Sequence, residues 1–307
     1  MHNDWFIIIN PTSGNGKSKK HIPKILQLLK QQQITYNYAI TKYVKHEFEL
    51  VQNAITNGYH KIISVGGDGT LHNIVNGILH QSVLSSSLIK IAVIPFGTGN
   101  DWVKNYQISK DLSKNISTIK SEHTTYQDIG KITLNSTKTI VYFNNLAGIG
   151  FDGHVVNSIG KYKKYGAISY LLAVFVGFSK YKSVDLSIEL DNKIIEVNSL
   201  MTLIGLCKYS GGGMRLTEKS DPTNGLFDIT IIKHLNLATV LVNLPKLFNG
   251  KITKHRKVTT YKTNNISISL PKNKTVFMQA DGELIDSENF TVELIPKAIQ
   301  VITPKKS

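Results

Sequence analysis

Apolar runs of β type and apolar residues at helical spacing alternate along roughly the first 128 positions. Trp5 to Ile9 reads as a strand, followed by a loop of small residues, Asn10-Pro11-Thr12-Ser13-Gly14-Asn15-Gly16-Lys17. Ile22, Ile25, Leu26, Leu28 and Leu29 then fall on one helical face. Tyr36 to Thr41 predicts a second strand. Phe48, Val51, Ala54 and Ile55 predict a second helix, stopped at Asn57-Gly58. Lys61 to Val65 and Ile89 to Ile94 are two further strands, each running into a glycine-rich loop and then a helix start. This rhythm predicts a mostly parallel sheet with helices on both faces. From about Asp128 the period changes to that of strands: 131–134, 139–143, 186–190, 194–197, 199–205, 227–232, 266–270, 276–280 and 290–295. Asp191-Asn192 is a hairpin signal. Two helical interruptions are expected at about 157–179 and 236–249, and Ala298 to Thr303 is a final apolar strand. The expected fold is therefore a Rossmann-like α/β domain over 1–128 followed by a β-rich domain, a sandwich, from 129.

The chemistry gathers in the loops. In a parallel α/β sheet, ligands bind at the carboxyl ends of the strands. Asn10 to Gly14, Thr41, Gly66-Gly67-Asp68-Gly69-Thr70-Leu71 and Pro95-Phe96-Gly97-Thr98-Gly99-Asn100-Asp101 all lie at such ends. Glycines there let backbone N–H groups approach an anion, and the following helix adds its own free N–H groups. Asp68 and Asp101 do not bind phosphate directly, so they suggest a bridging Mg²⁺ or a proton acceptor. The plainer alternative is a pair of tight turns with capping aspartates. Two such loops in successive units, each with an aspartate, favour a phosphate site.

Composition narrows the partners. The 307 residues carry 36 Lys+Arg against 21 Asp+Glu, a formal charge of +15. Arginine stands only at 215 and 256, and arginine is the residue that reads guanine bidentately, so sequence-specific nucleic-acid binding is disfavoured. A lysine-coated protein suits an anionic membrane surface. The single cysteine, Cys207, excludes an intramolecular disulfide framework and fits a reducing cytosol. The start lacks a basic segment with a long apolar core, and Ala167 to Phe178 is too short to span a bilayer. A cytoplasmic protein, peripheral to the inner face of the membrane, is expected. Lys161-Tyr162-Lys163-Lys164-Tyr165 and Lys180-Tyr181-Lys182 flank that apolar stretch, and Lys251 to Lys257 is a second basic cluster.

Asn10-Pro11-x-Ser13-Gly14, Gly66-Gly67-Asp68-Gly69-Thr70, Pro95-x-Gly97-Thr98-x-Asn100-Asp101, Gly148-x-Gly150-Phe151-Asp152, Gly225-Leu226-Phe227-Asp228 and Asp281-Gly282-Glu283 together carry a resemblance. The chain resembles, end to end, the soluble bacterial diacylglycerol kinase-like lipid kinases, which share a catalytic domain with ceramide and sphingosine kinases. The resemblance implies an ATP-binding first domain completed by the last strand, about 297–307, and a lipid-facing domain over 129–296. It implies that Asn10, Pro11, Thr12, Ser13, Gly14, Thr41, Gly66, Gly67, Asp68, Gly69, Thr70, Leu71, His72, Asn73, Thr98 and Asn100 line ATP. It makes Asp68 and Asp101 essential acids and Glu283 the proton acceptor. A structural Mg²⁺ would sit on Asp221, Asn224 and the Leu226 carbonyl. Two departures stand out. His72-Asn73 replaces the family's usual Asn-Glu, which removes a carboxylate near the nucleotide, and Asn224 replaces an aspartate of the metal turn.

The expected reaction is ATP- and Mg²⁺-dependent phosphorylation of a lipid hydroxyl, diacylglycerol to phosphatidic acid first among candidates, in a cleft between the domains. Homodimerisation is expected by analogy alone. Two alternatives stay open: a kinase for another lipid or for NAD, and a nucleotide-binding regulator without turnover, which His72-Asn73 keeps in play.

Overall fold

A computed structural model describes residues 2–159, 178, 181–191, 193–217, 219–271 and 276–305. The chain forms two compact units, Met1–Ile129 with Pro296–Ser307, and Gly130–Ile295.

In the first unit, β1 (His2–Ile9), β2 (Tyr36–Ile40), β3 (Tyr59–Gly66) and β4 (Lys90–Pro95) lie parallel in the order β4-β3-β1-β2. Ile9 pairs with both Ile40 and Val65, and Gly66 with Pro95, so the strands end level and their outgoing loops share one edge. Between them run α1 (Lys17–Gln31), α2 (His46–Thr56) and α3 (Asp68–His80); the short α4 (Asp101–Asn105) and α5 (Leu112–Ser121) follow β4. Trp5, Ile7 and Ile9 share a core with Ile25 and Leu29 of α1 and Ile116 and Ile119 of α5. Ile8 and Ile62, on alternate positions, are equally buried. Both faces of the sheet are thus covered, as a parallel sheet requires.

The second unit is antiparallel. It begins within β5 (Thr124–Leu134) and continues through β6 (Ile140–Phe143), β7 (Leu146–Gly150), β8 (Val184–Leu190) and β9 (Lys193–Gly205). Then come β10 (Phe227–Lys233), β11 (Val258–Thr263), β12 (Asn265–Ser269), β13 (Met278–Ala280), β14 (Glu283–Ile285) and β15 (Phe290–Ile302). The sequence suggests separate strands at 194–197 and 199–205, but they are one strand that changes partners. Its first half pairs with β8, and from Met201 it pairs with β7 on one side and β10 on the other. A strand shared in this way is how a sandwich turns a corner. Likewise 290–295 and 298–303 fuse into β15, which bends at Lys297, where φ is +50°. Its first half pairs with β12, and Gln300 and Val301 then pair in parallel with Lys90 and Ile91 of β4. From Pro296 on, the last strand therefore belongs to the first unit.

Helix α6 (Phe151–Ile159) starts earlier than the pattern around 157–179 predicts. The rest of that expected helix, apart from Phe178, and the Lys161–Tyr165 cluster lie outside the described residues. The second expected helix is α7 (Leu237–Asn249), capped by Asn236, whose side chain accepts from Thr239 N at 2.8 Å. Among the described residues no helix is long and apolar enough to cross a membrane.

Candidate active site

Two hydrogen-bonded clusters occupy the loop edge of the first unit. The first is built on Asn10, just past β1. Its Nδ2 donates to Glu47 Oε1 at 3.0 Å and to Thr70 Oγ1 at 3.1 Å. Its Oδ1 accepts from the backbone N–H and hydroxyl of Thr12, at 3.1 and 2.8 Å. Ser13 N donates back to Asn10 O at 3.3 Å, which curls Pro11 to Gly14 into a tight turn. Glu47, in the first turn of α2, is only 2% exposed, and its other oxygen accepts from Asn73 Nδ2 at 3.2 Å. The carboxylate that His72-Asn73 removes from α3 is thus met by one from α2. His72 is buried, and its ring nitrogen lies 3.3 Å from the Asn76 amide one turn along the same helix. Thr41 is nine-tenths buried at the end of β2, tied through its N–H to Ile9 O.

The second cluster joins the two glycine loops. A Cβ on Gly67 would stand 2.9 Å from Gly97 Cα, and one on Gly97 would stand 2.6 Å from Gly67 Cα, so only glycines let these backbones touch. Phe96 N donates to Gly66 O at 2.7 Å, and Asn100 folds its amide onto Gly97 O at 2.6 Å. Asp68, the first residue of α3, accepts from the N–H groups of Asp101 and Trp102 at 3.2 and 3.4 Å and so caps α4. Asp101 is 5% exposed, and its Oδ1 holds Lys104 Nζ at 2.7 Å. A Cβ placed on Gly99 would lie 3.4 Å from Asp68 Oδ2 and 3.6 Å from Asp101 Oδ2. The two carboxylates therefore flank one point, beside the N-termini of two helices and the exposed Thr98. Hard oxygen donors in that arrangement fit Mg²⁺.

In the second unit, Asp281-Gly282 is the turn of the β13–β14 hairpin. The Asp281 carboxylate accepts from three successive N–H groups, those of Asn144, Asn145 and Leu146, at 2.9, 2.9 and 3.0 Å. That anchor fixes Glu283, the half-buried first residue of β14. Asp221 Oδ1 accepts from Thr223 N and Oγ1, and Asn224 Oδ1 accepts from Leu226 N. Two of the oxygens named for a structural ion, Asp221 Oδ1 and Asn224 Oδ1, thus each also close a local turn, beside the Leu226 carbonyl.

A small cavity of about 70 Å³ opens within the same unit, lined by Phe151, Leu200, Met214, Ile232, Leu247 and other apolar side chains. Among the described residues lining it, the one carboxyl belongs to Asp152, in the first turn of α6. Burial pushes that group up to about 6, against the lowering effect of the Gln279 amide that donates to it at 2.5 Å. Sequence reasoning quoted Asp152 within Gly148-x-Gly150-Phe151-Asp152 but gave it no role, and it missed Glu47 and Lys104. An acid in the first turn of a helix was the available signal for Glu47.

Fold and loops define the class of two-domain lipid kinases. Residues 4–132 match the diacylglycerol kinase catalytic domain, and residues 145–303 match the YegS C-terminal NAD kinase beta sandwich-like domain. A diacylglycerol kinase of Staphylococcus epidermidis is 32% identical over 97% of this chain and 92% of its own length. That of Staphylococcus haemolyticus is 31% identical over 97% and 88%. A crystal structure of a diacylglycerol kinase from Bacillus anthracis strain Sterne, 19% identical, superposes with a TM-score of 0.73 over 98% of this chain and 97% of the other, which supports the fold. This chain belongs to the diacylglycerol kinase family.

Proposed function

We propose that this protein transfers the γ-phosphoryl group of ATP to the free hydroxyl of diacylglycerol, giving phosphatidic acid and ADP. The observation that carries the reading is the pair of touching glycine loops with Asp68 and Asp101 flanking one point. Asn10 to Gly14, Thr41, Gly66 to Asn73, Thr98 and Asn100 line the nucleotide. The loop N–H groups and the start of α3 hold the phosphate oxygens. Asp68 and Asp101 would hold Mg²⁺, which would supply charge neutralisation at the transferring phosphoryl group. Glu283 accepts the proton of the lipid hydroxyl as its oxygen bonds to phosphorus and the bond to the ADP oxygen breaks. The apolar cavity takes part of an acyl chain, since its lining suits hydrocarbon.

The test is ATP consumption with Mg²⁺ on mixed micelles carrying diacylglycerol, ceramide, phosphatidylglycerol or no lipid, beside a lipid-free arm with NAD. Phosphate appears on diacylglycerol, and Asp101→Ala lowers that rate at least a hundredfold. Transfer to NAD alone establishes the second reading, which the description of the matched sandwich domain favours. ATP binding without transfer to any acceptor establishes a regulator.

A further inference from the structure

Helix α7 has two unlike faces. Val240, Asn243 and Leu247, at helical spacing, line the apolar cavity. Ala238, Val242, Pro245, Lys246 and Asn249 form an exposed stripe, with Phe248 beside it. Val242 is 77% exposed and Phe248 49%, so two large apolar side chains stand in solvent on one helix. The turn after the helix adds exposed Lys251, Lys254 and Arg256. From Lys233 to Lys262 there are seven Lys or Arg residues and no Asp or Glu. Exposed apolar groups in a segment whose only charged residues are cations, on the outer face of a helix whose inner face walls an apolar cavity, match one occupant better than others. An anionic bilayer takes up apolar side chains at the interface and attracts lysines to its headgroups.

We infer that α7 is the membrane-docking element, laying Val242 and Phe248 into the acyl boundary with Lys246, Lys251 and Lys254 against anionic headgroups. Rested on the lipid-kinase reading above, this places the mouth of the bilayer beside the wall of the lipid cavity. A lipid then moves from membrane to cavity along one helix instead of through water.

Flotation of the full chain with phosphatidylcholine vesicles, with and without phosphatidylglycerol, tests this. The variants are Val242→Gln/Phe248→Gln and Lys246→Gln/Lys251→Gln/Lys254→Gln, each first checked for wild-type circular dichroism and melting. Each lysine near an anionic surface is worth about fivefold in partitioning. The wild type is expected to float with anionic vesicles and at least tenfold less with neutral ones. Each variant should lose at least tenfold on anionic vesicles while turnover of dispersed short-chain diacylglycerol stays at the wild-type rate. A wild type that leaves the vesicles alone, a variant that floats like wild type, or a parallel loss of dispersed-substrate turnover overturns the inference. Flotation that depends on these side chains in a protein phosphorylating no lipid sustains the docking role and sinks only the kinase reading.

Discussion

Glu47 shows how a buried side chain can organise a loop without touching the glycines in it. One carboxylate takes an amide proton from Asn10 and another from Asn73, and Asn10 passes the order on to Thr12 and Thr70. Glu47→Ala leaves two half-buried amides short of an acceptor. Removing a buried hydrogen-bond partner costs about 1–3 kcal/mol, which urea denaturation would read directly. The KM for ATP should rise at least tenfold with a smaller change in kcat, because positioning is lost and the acids are not.

Asp152 supports a pH prediction. Its carboxyl is raised from 3.8 to about 6, first by burial. Between those values the folded state holds a proton that the unfolded state has released. Stability from this group is full below about 4, falls as pH rises, and is gone above about 6. The loss is on the order of 3 kcal/mol. Asp152→Asn still accepts from Gln279 and has no charge to bury. Its stability relative to wild type should therefore increase from pH 4 to pH 8, measured as the difference in urea midpoints.

Among the elements, the two glycine loops behave as one. Gly97→Ala puts a methyl 2.6 Å from Gly67 Cα, a backbone atom that cannot swing away. The loops must separate, at a cost of about 1–3 kcal/mol for overpacking, and nucleotide affinity should fall at least tenfold by titration calorimetry. At the opposite end of the sheet, Glu122 ties β3 to β4 by holding Lys61 at 2.6 Å and Lys90 at 2.9 Å. Lys61 is 5% exposed and also donates to Asn3 Oδ1 at 2.8 Å. Glu122→Gln should cost about 1–3 kcal/mol, discounted because Glu122 itself is a third exposed.

For the whole molecule the governing fact is that the first unit is not contiguous in sequence. Ala298, Ile299, Val301 and Ile302 are buried, and their strand pairs with β4. A chain ending at Pro296 loses that strand and exposes β4 as a long apolar edge. It should aggregate or melt at least ten degrees lower, by light scattering and calorimetry, although the loops at 66–70 and 95–101 are untouched. The same discontinuity explains what local pattern could and could not give. Ile7, Ile9, Ile63 and Val65 announce their strands by composition, and the glycine loops announce themselves by spacing. The partner switch within β9 shows in the sequence only as a break at Asn198, where alternating burial gives way to nearly continuous burial in the fold.

The sequence by itself determined the α/β-then-β order, the phosphate-type loops with Asp68 and Asp101, and the family, because strand period, turn glycines and motif spacing are local properties. Only the packing brings Glu47 to Asn73 across 26 residues and buries Asp152 at an apolar cavity. Those outcomes depend on which surfaces come together once distant segments pack. Burial and hydrogen-bond partnership are properties of that packing, and no single residue carries them in its spacing.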